Sequence, residues 1–222
     1  MKFLITLQDK NYYDPIKGDG INILGENLSL LLCSKIISEL GSNHFIDIFV
    51  PESLINNFPI SPSNRIRIIP RRNKNFIECL ENSASIYDND DKNLIWVNSR
   101  FIGLDFELIT ESEKLKEKNN LDILFSCDKN TYLIADQENN FINISKEKNI
   151  DKVFFDRSNL EEIKIFNRKF FVISKSSISL LTNKNKLKYD FFPFDSGISV
   201  DSLIKNFSES DIANLFIKNR KL

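Results

Sequence analysis

Apolar and polar positions in this chain are grouped into short strand-like runs separated by segments of helical period. Phe3 to Leu7 is an apolar-rich run of the buried-strand type. Leu28, Leu31, Leu32, Ile36, Ile37 and Leu40 then recur near i, i+3, i+4, i+7 spacing, which predicts a helix from about Ser29 to Leu40 packed on a sheet. Gly41-Ser42-Asn43 stops it, with Gly41 suited to the position just past a helix end, and FIDIFV (Phe45 to Val50) follows as a strand. Strand, crossover helix and strand within fifty residues predict a parallel pair and an α/β class. The long polar loop Gln8 to Asn27, with three glycines, lies beyond the carboxyl end of the first strand, where open α/β sheets bind ligands.

The same patterning continues to the end of the chain. Pro51-Glu52 opens a helix over Glu52 to Asn57 with Pro51 at its first position, and Arg65 to Ile69 alternates as a third strand. Asn75 to Tyr87 reads as a helix with Phe76, Leu80, Ala84 and Tyr87 on one face. Leu94 to Val97 and Leu121 to Cys127 are core strands, and between them Thr110 to Asn119 reads as a helix opened by a Thr110–Glu113 capping box. From Thr131 the pattern changes to short alternating strands (TYLIA, FINIS, KVFF), predicting an inserted β-rich arm at about 131–166 in a single domain spanning 1–222. Lys169 to Ile173 returns to a core run, followed by a short helix near Ser174 to Leu181 and an aromatic strand, Asp190 to Phe194. Ser208 to Lys218 closes the chain as an amphipathic helix, with Ser208 as N-cap and Asp211 at the capping-box position.

Composition narrows the class. The 222 residues are 41% hydrophobic and 27% charged, ordinary values for a chain that can bury a core. A net charge of −1 argues against charge-driven binding to nucleic acid or a membrane surface. The 19 Phe residues and the abundance of Asn, Lys and Ile match AT-rich codon usage and say little about chemistry. Cys33, Cys79 and Cys127 are distant, odd in number and set in apolar runs, which supports neither zinc nor a disulfide framework. With no apolar run long enough for a signal peptide or a membrane span, a cytoplasmic protein is expected.

Candidate chemistry gathers at the ends of strands. The Gln8–Asn27 loop, Arg71-Arg72, Asn98-Ser99-Arg100 and Asp195 to Asp201 are expected at one edge of an open sheet. Lys10, Lys17, Arg71, Arg72 and Arg100 offer charge for phosphate or carboxylate, while Asp195 and Asp201 offer hard oxygen ligands for magnesium. For each residue alone, a solvated loop is the plainer account. His44, the only histidine, reads as a surface or edge residue rather than a catalytic base, and the acidic run Asp88 to Asp91 as a solvated turn rather than a calcium site. Neither a Walker A motif nor G-x-G-x-x-G nor G-x-S-x-G is present.

Several segments nevertheless follow a known order. Leu24-Gly25-Glu26-Asn27-Leu28 is similar to an L-x-G-K-P-L opening, and Arg71 stands like the Arg of an R-P pair. IWVNSRFIGL (Ile95 to Leu104) stands where an L-Q-P-T-S-P-L-R segment is expected; SVDS around Asp201 stands at a D-I-D metal motif; and Ser208 to Phe216 is similar to a closing t-p-e-D-f-x-x-A helix. In this order the chain resembles the acylneuraminate cytidylyltransferases (CMP-sialate synthetases) and their Kdo-activating cousins. The resemblance implies a three-layer α/β/α nucleotidyltransferase fold of glycosyltransferase-A type, with a mainly parallel mixed sheet and an inserted arm. It also implies transfer from CTP to a nonulosonic or Kdo-like sugar acid, in surface polysaccharide biosynthesis, giving a CMP-sugar and pyrophosphate.

By the same resemblance, Lys10, Lys17 and Arg71 meet the phosphates, and Leu7, Gln8, Asn98 and Ser99 the nucleotide. Arg100 meets the sugar acid, and Asp201 holds Mg2+. The arm implies a homodimer, with Val153 to Phe155 and Phe166 to Phe171 at its interface. The departures fall on catalytic positions: LQDKNYYDPIKGDG lacks the Arg-x-Gly-Ser-Lys of the family, and Ser199 replaces the first Asp of D-I-D. A degenerate member serving as a binding or partner subunit, and a glycosyltransferase-like enzyme, are the alternatives.

Overall fold

The computed structural model describes residues 2–7, 22–23, 26–41, 43–56, 58, 60–71, 76–85, 93–99, 101–127, 149–150, 169–182, 187–199, 202, 206–208, 210–212 and 214. The chain forms two compact units: Met1–Leu4, Asn73–Asn98 and Phe106–Asp195 make one, and Ile5–Arg72, Ser99–Asp105 and Ser196–Leu222 the other.

In the second unit, β1 (Lys2–Thr6) contributes its last two residues beside β4 (Phe45–Val50), and β4 pairs in parallel with β5 (Ile66–Pro70). The hairpin β2 (Asn22–Ile23) and β3 (Glu26–Asn27) leads straight into α1 (Leu28–Leu40), whose Leu30, Leu32, Cys33, Ile36 and Leu40 are buried, as the 3.6-residue period requires. Gly41 takes φ +71° and its N–H donates to Ile37 O at 3.2 Å, the left-handed stop that glycine adopts without a Cβ clash. The following short helix, α2 (Glu52–Ile55), ends earlier than its pattern suggests, and Pro51 is its N-cap (φ −53°, ψ 140°) rather than its first helical residue. Asp47 is fully buried on β4, directly opposite Arg67 in the ladder, and the guanidinium holds it with two bonds of 2.7 and 2.6 Å. In a separate two-stranded sheet, β7 (Phe101–Ile102) pairs antiparallel with β12 (Ile198–Ser199), a strand distant in sequence.

In the first unit the strand order runs β1, β6 (Asn93–Asn98), β10 (Phe170–Ser174), β8 (Ile123–Cys127), β11 (Leu187–Pro193), β9 (Asn149–Ile150). β10 is antiparallel to both β6 and β8, and β8 is parallel to β11, so the sheet is mixed and β6, β8 and β11 run the same way. Phe170 and Phe171, expected at a dimer interface, are fully buried: Phe171 stacks on Trp96 at 5.1 Å, and Phe170 meets Phe194 edge-on at 4.9 Å. Apart from Lys169, which is also buried, the rest of that expected interface, and the arm apart from Asn149–Ile150, lie outside the described residues.

The helices α3 (Phe76–Ser85), α4 (Phe106–Lys118) and α5 (Lys175–Thr182) belong to this unit. Of the described side chains on α3, Cys79, Leu80 and Ser83 are buried and Ala84 is half-buried, and Ser83 O accepts the buried Lys2 ammonium; the side chains of Phe76 and Tyr87, expected on the same face, lie outside the described ones. α4 begins a full turn before Thr110. Thr110 Oγ1 donates to Phe106 O at 2.9 Å, so its hydroxyl bonds back within the helix instead of capping it. The closing capping box is present: Asp211 N–H donates to Ser208 Oγ at 3.3 Å, and Ser208 N–H to Asp211 Oδ2 at 3.2 Å.

Candidate functional site

In the second unit, predicted residues meet at the carboxyl end of β1. Leu7 leaves the strand still bonded to the sheet, its N–H donating to Phe49 O at 2.9 Å. Arg71 follows Pro70 at the end of β5 and keeps the ladder by donating its N–H to Val50 O at 2.8 Å, which aims the side chain across the strand ends. Its Nη1 donates to Leu7 O at 3.3 Å. Ser99 Oγ donates to the preceding carbonyl, Thr6 O, at 3.1 Å. Two side chains far apart in sequence, Arg71 and Ser99, thus converge on two consecutive carbonyls. Arg71 is half-buried and brings a fork of donors suited to a phosphate or carboxylate. Ser99 is buried and its hydroxyl serves the backbone of β1.

In the first unit, the carboxyl ends of β6, β8 and β11 and the start of β10 share one edge, a consequence of the strand directions above. Asn98 ends β6, is buried, and donates its N–H to Lys169 O at 2.9 Å. Ser126 on β8 accepts the N–H groups of Lys169 and Phe170, both at 3.0 Å. Lys169 is 6% exposed; its Nζ donates to Phe194 O at 3.2 Å and lies 5.8 Å from the centre of the Phe194 ring. Sequence reading counted Lys169 only as the first residue of a core strand. Its signal was a cation directly preceding an apolar run, NRKFFVI, at the start of a strand antiparallel to its neighbours.

Near the expected metal motif, Ser199 Oγ accepts the Ser202 N–H at 3.2 Å and donates to Ser202 Oγ at 3.0 Å, so this oxygen closes a turn. Gln8, Lys10, Lys17, Arg100 and Asp201 lie outside the described residues. Among the described residues no group of three or more His, Cys, Asp or Glu side chains is arranged to hold a metal ion. Cys33, Cys79 and Cys127 are free and buried, and burial pushes the Cys33 thiol far above its usual range. His44 is half-buried at the turn before β4, with its pKa lowered by desolvation and by the chain's amino terminus. Among the described residues no helix is long and apolar enough to cross a membrane.

No protein-family model matches the chain, and no curated protein matches it in sequence. Solved structures match its fold. The 4-diphosphocytidyl-2C-methyl-D-erythritol synthase of Anaerococcus prevotii is similar with a TM-score of 0.53 at 10% identity, over 98% of this chain and 97% of that one. HddC of Yersinia pseudotuberculosis gives 0.52 at 13% identity, over 98% of each chain. The inositol-1-phosphate CTP transferase of T. maritima gives 0.51 at 11% identity, over 99% of this chain and 96% of that one. This chain has the nucleotidyltransferase α/β fold. The fold expected from the resemblance is therefore present along nearly the whole length, with a mixed sheet. Identities this low carry the architecture, and substrate choice has to be argued from the site.

Proposed function

We propose that this protein transfers a cytidylyl group from CTP to an acceptor hydroxyl. The acceptor oxygen attacks the α-phosphorus and forms a new P–O bond. The bond from that phosphorus to the bridging oxygen of the β-phosphate breaks, pyrophosphate leaves, and the hydroxyl proton passes to solvent. Such a reaction needs mainly positioning and cations placed where charge develops. The observation that carries the reading is the Arg71 guanidinium fixed on Leu7 O at the carboxyl end of β1, in a fold shared with a CTP transferase. In this reading Arg71 meets the phosphates, the β1 end and Asn98 the nucleotide, and Arg100 the carboxylate of a nonulosonic or Kdo-like sugar acid. Magnesium, held by Asp201, would offset phosphate charge when bound. A homodimer formed through the arm belongs to the same reading and is tested by light scattering.

Thermal stability with each of the four nucleoside triphosphates and magnesium is the first test. A ligand at one hundred times its Kd adds about 2.7 kcal/mol, a shift of several degrees. CTP is expected to stabilise the protein most; no shift with any of the four removes the reading. Pyrophosphate release with CTP and a panel of sugar acids then tests transfer. The replacement of the family's first metal carboxylate by Ser199, whose oxygen closes the turn to Ser202, favours a second reading. In that reading the protein is a partner subunit that binds nucleotide without turning it over, and CTP binding with no pyrophosphate from any acceptor is its signature.

A further inference from the structure

We propose that Lys169 meets the anionic phosphates of the ligand in place of a lysine of the first loop; the inference rests on the nucleotidyl-transfer reading. The first loop lacks the Arg-x-Gly-Ser-Lys cations, so a triphosphate site in this chain has to draw charge from elsewhere. Lys169 stands at the edge formed by the carboxyl ends of β6, β8 and β11, which is where open α/β sheets receive ligands. It lies beside the end of β6, where Asn98 donates to Lys169 O at 2.9 Å.

The start of β10 is already tied down by its main chain. Ser126 Oγ takes the Lys169 and Phe170 N–H groups, and Asn98 takes the Lys169 carbonyl. These main-chain bonds hold the strand alongside whatever the ammonium contributes. An apolar side chain would cover the Phe194 ring without the desolvation cost of a buried charge. Lys169 is also pre-positioned: a bond of 3.2 Å to Phe194 O and the flanking aromatic ring fix the ammonium, so little ordering remains to be done on binding.

Isothermal titration of the full chain with CTP, and separately with sodium pyrophosphate, tests this at two salt concentrations. Lys169→Met is expected to weaken pyrophosphate binding about tenfold or more and to flatten its salt dependence, as loss of a charge-assisted contact does. Lys169→Arg should recover most of the affinity, and Lys35→Met, which removes a lysine paired with Glu39 along α1, should stay within about threefold of the parent. Circular dichroism checks that the variants are folded. Lys169→Gln, which retains a donor for Phe194 O, takes the place of the Met variant if that one does not fold. Wild-type affinity in a folded, neutral Lys169 variant overturns the assignment, as does an equal loss in Lys10→Met, Lys17→Met or Lys35→Met. Absence of CTP and pyrophosphate binding in the wild type instead overturns the transfer reading, and the Lys169 assignment with it.

Discussion

Arg71 joins a sequence-level candidate to a definite geometry. Its backbone is fixed by the ladder bond to Val50 O, while its guanidinium spans to Leu7 O at a rather long 3.3 Å. A contact of that length from a half-buried side chain contributes little to stability. The same group facing a phosphate would form strong charge-assisted bonds. Arg71→Ala should therefore change the unfolding free energy by less than about 1 kcal/mol while lowering kcat/KM for CTP by roughly 10- to 100-fold. Urea titration and steady-state kinetics together check it, and a large stability loss with unchanged kinetics contradicts it.

Lys116 shows the opposite case, a buried cation with a structural environment. It is 2% exposed and donates to Asn93 Oδ1 at 2.9 Å and to Ser174 Oγ. Asn93 is oriented for this because its amide nitrogen donates to Glu117 at 3.0 Å and Glu113 at 3.3 Å. Desolvation lowers the Lys116 pKa, and Asp122, Glu117 and Glu113 oppose that only in part. Between the lowered folded value and the ordinary lysine value, the unfolded chain binds more protons than the folded one, so stability rises with pH across that window. Below the folded value the penalty is present in full. Wild-type stability relative to Lys116→Met should thus climb as pH rises from neutral toward 10, as read by urea midpoints measured in parallel. A constant difference across that range would argue that the folded and unfolded values are equal.

At the scale of elements, the two-stranded pair of β7 and β12 has the clearest single dependence. Gly197 has φ +93°, and a Cβ there would lie 2.6 Å from Leu104 Cδ2 and 3.5 Å from Ile102 O. The left-handed conformation favours glycine, and any Cβ would in addition force the Leu104 side chain to move. Gly197→Ala should cost more than about 1 kcal/mol and should loosen the turn that carries Ser199 and Ser202. Hydrogen exchange at Ile102 and Ser199 reads the local effect against Tm, and unchanged protection in both strands would refute it. Elements carried by local chemistry were legible: FIDIFV is β4 as read, α1 is within a residue of its predicted start, and the Ser208–Asp211 box forms. Those governed by distant partners were not. The start of α4 is fixed at Asp105, whose N–H donates to Ser196 Oγ across 91 positions, and no local pattern reveals such a partner. Lys169 was missed for the same reason, since its meaning comes from the antiparallel course of β10.

On the scale of the whole molecule, architecture and catalytic capacity have to be weighed separately. The fold runs along nearly the whole chain, yet the first-loop cations and one of two metal-motif carboxylates of the resembled family are absent from the sequence. In the proposed nucleotidyl-transfer reading the architecture would set where a nucleotide lies, and the missing groups would act mostly on the transition state, where charge moves to the leaving pyrophosphate. Their loss should therefore leave binding largely intact and slow the chemical step. Removing that much charge stabilisation costs several kcal/mol, on the order of a thousandfold in rate. Against a typical enzyme turnover of about 10 per second, the expected kcat is on the order of 0.01 per second, with an ordinary KM for CTP. Asp201→Ala should then abolish both the residual turnover and the magnesium dependence of CTP binding. Pre-steady-state pyrophosphate release and titration calorimetry with and without magnesium measure the two quantities independently. A turnover near 10 per second would mean that Lys169, or another residue outside the resembled motifs, replaces the missing charge in full. Unchanged magnesium dependence in Asp201→Ala would remove that residue from the site.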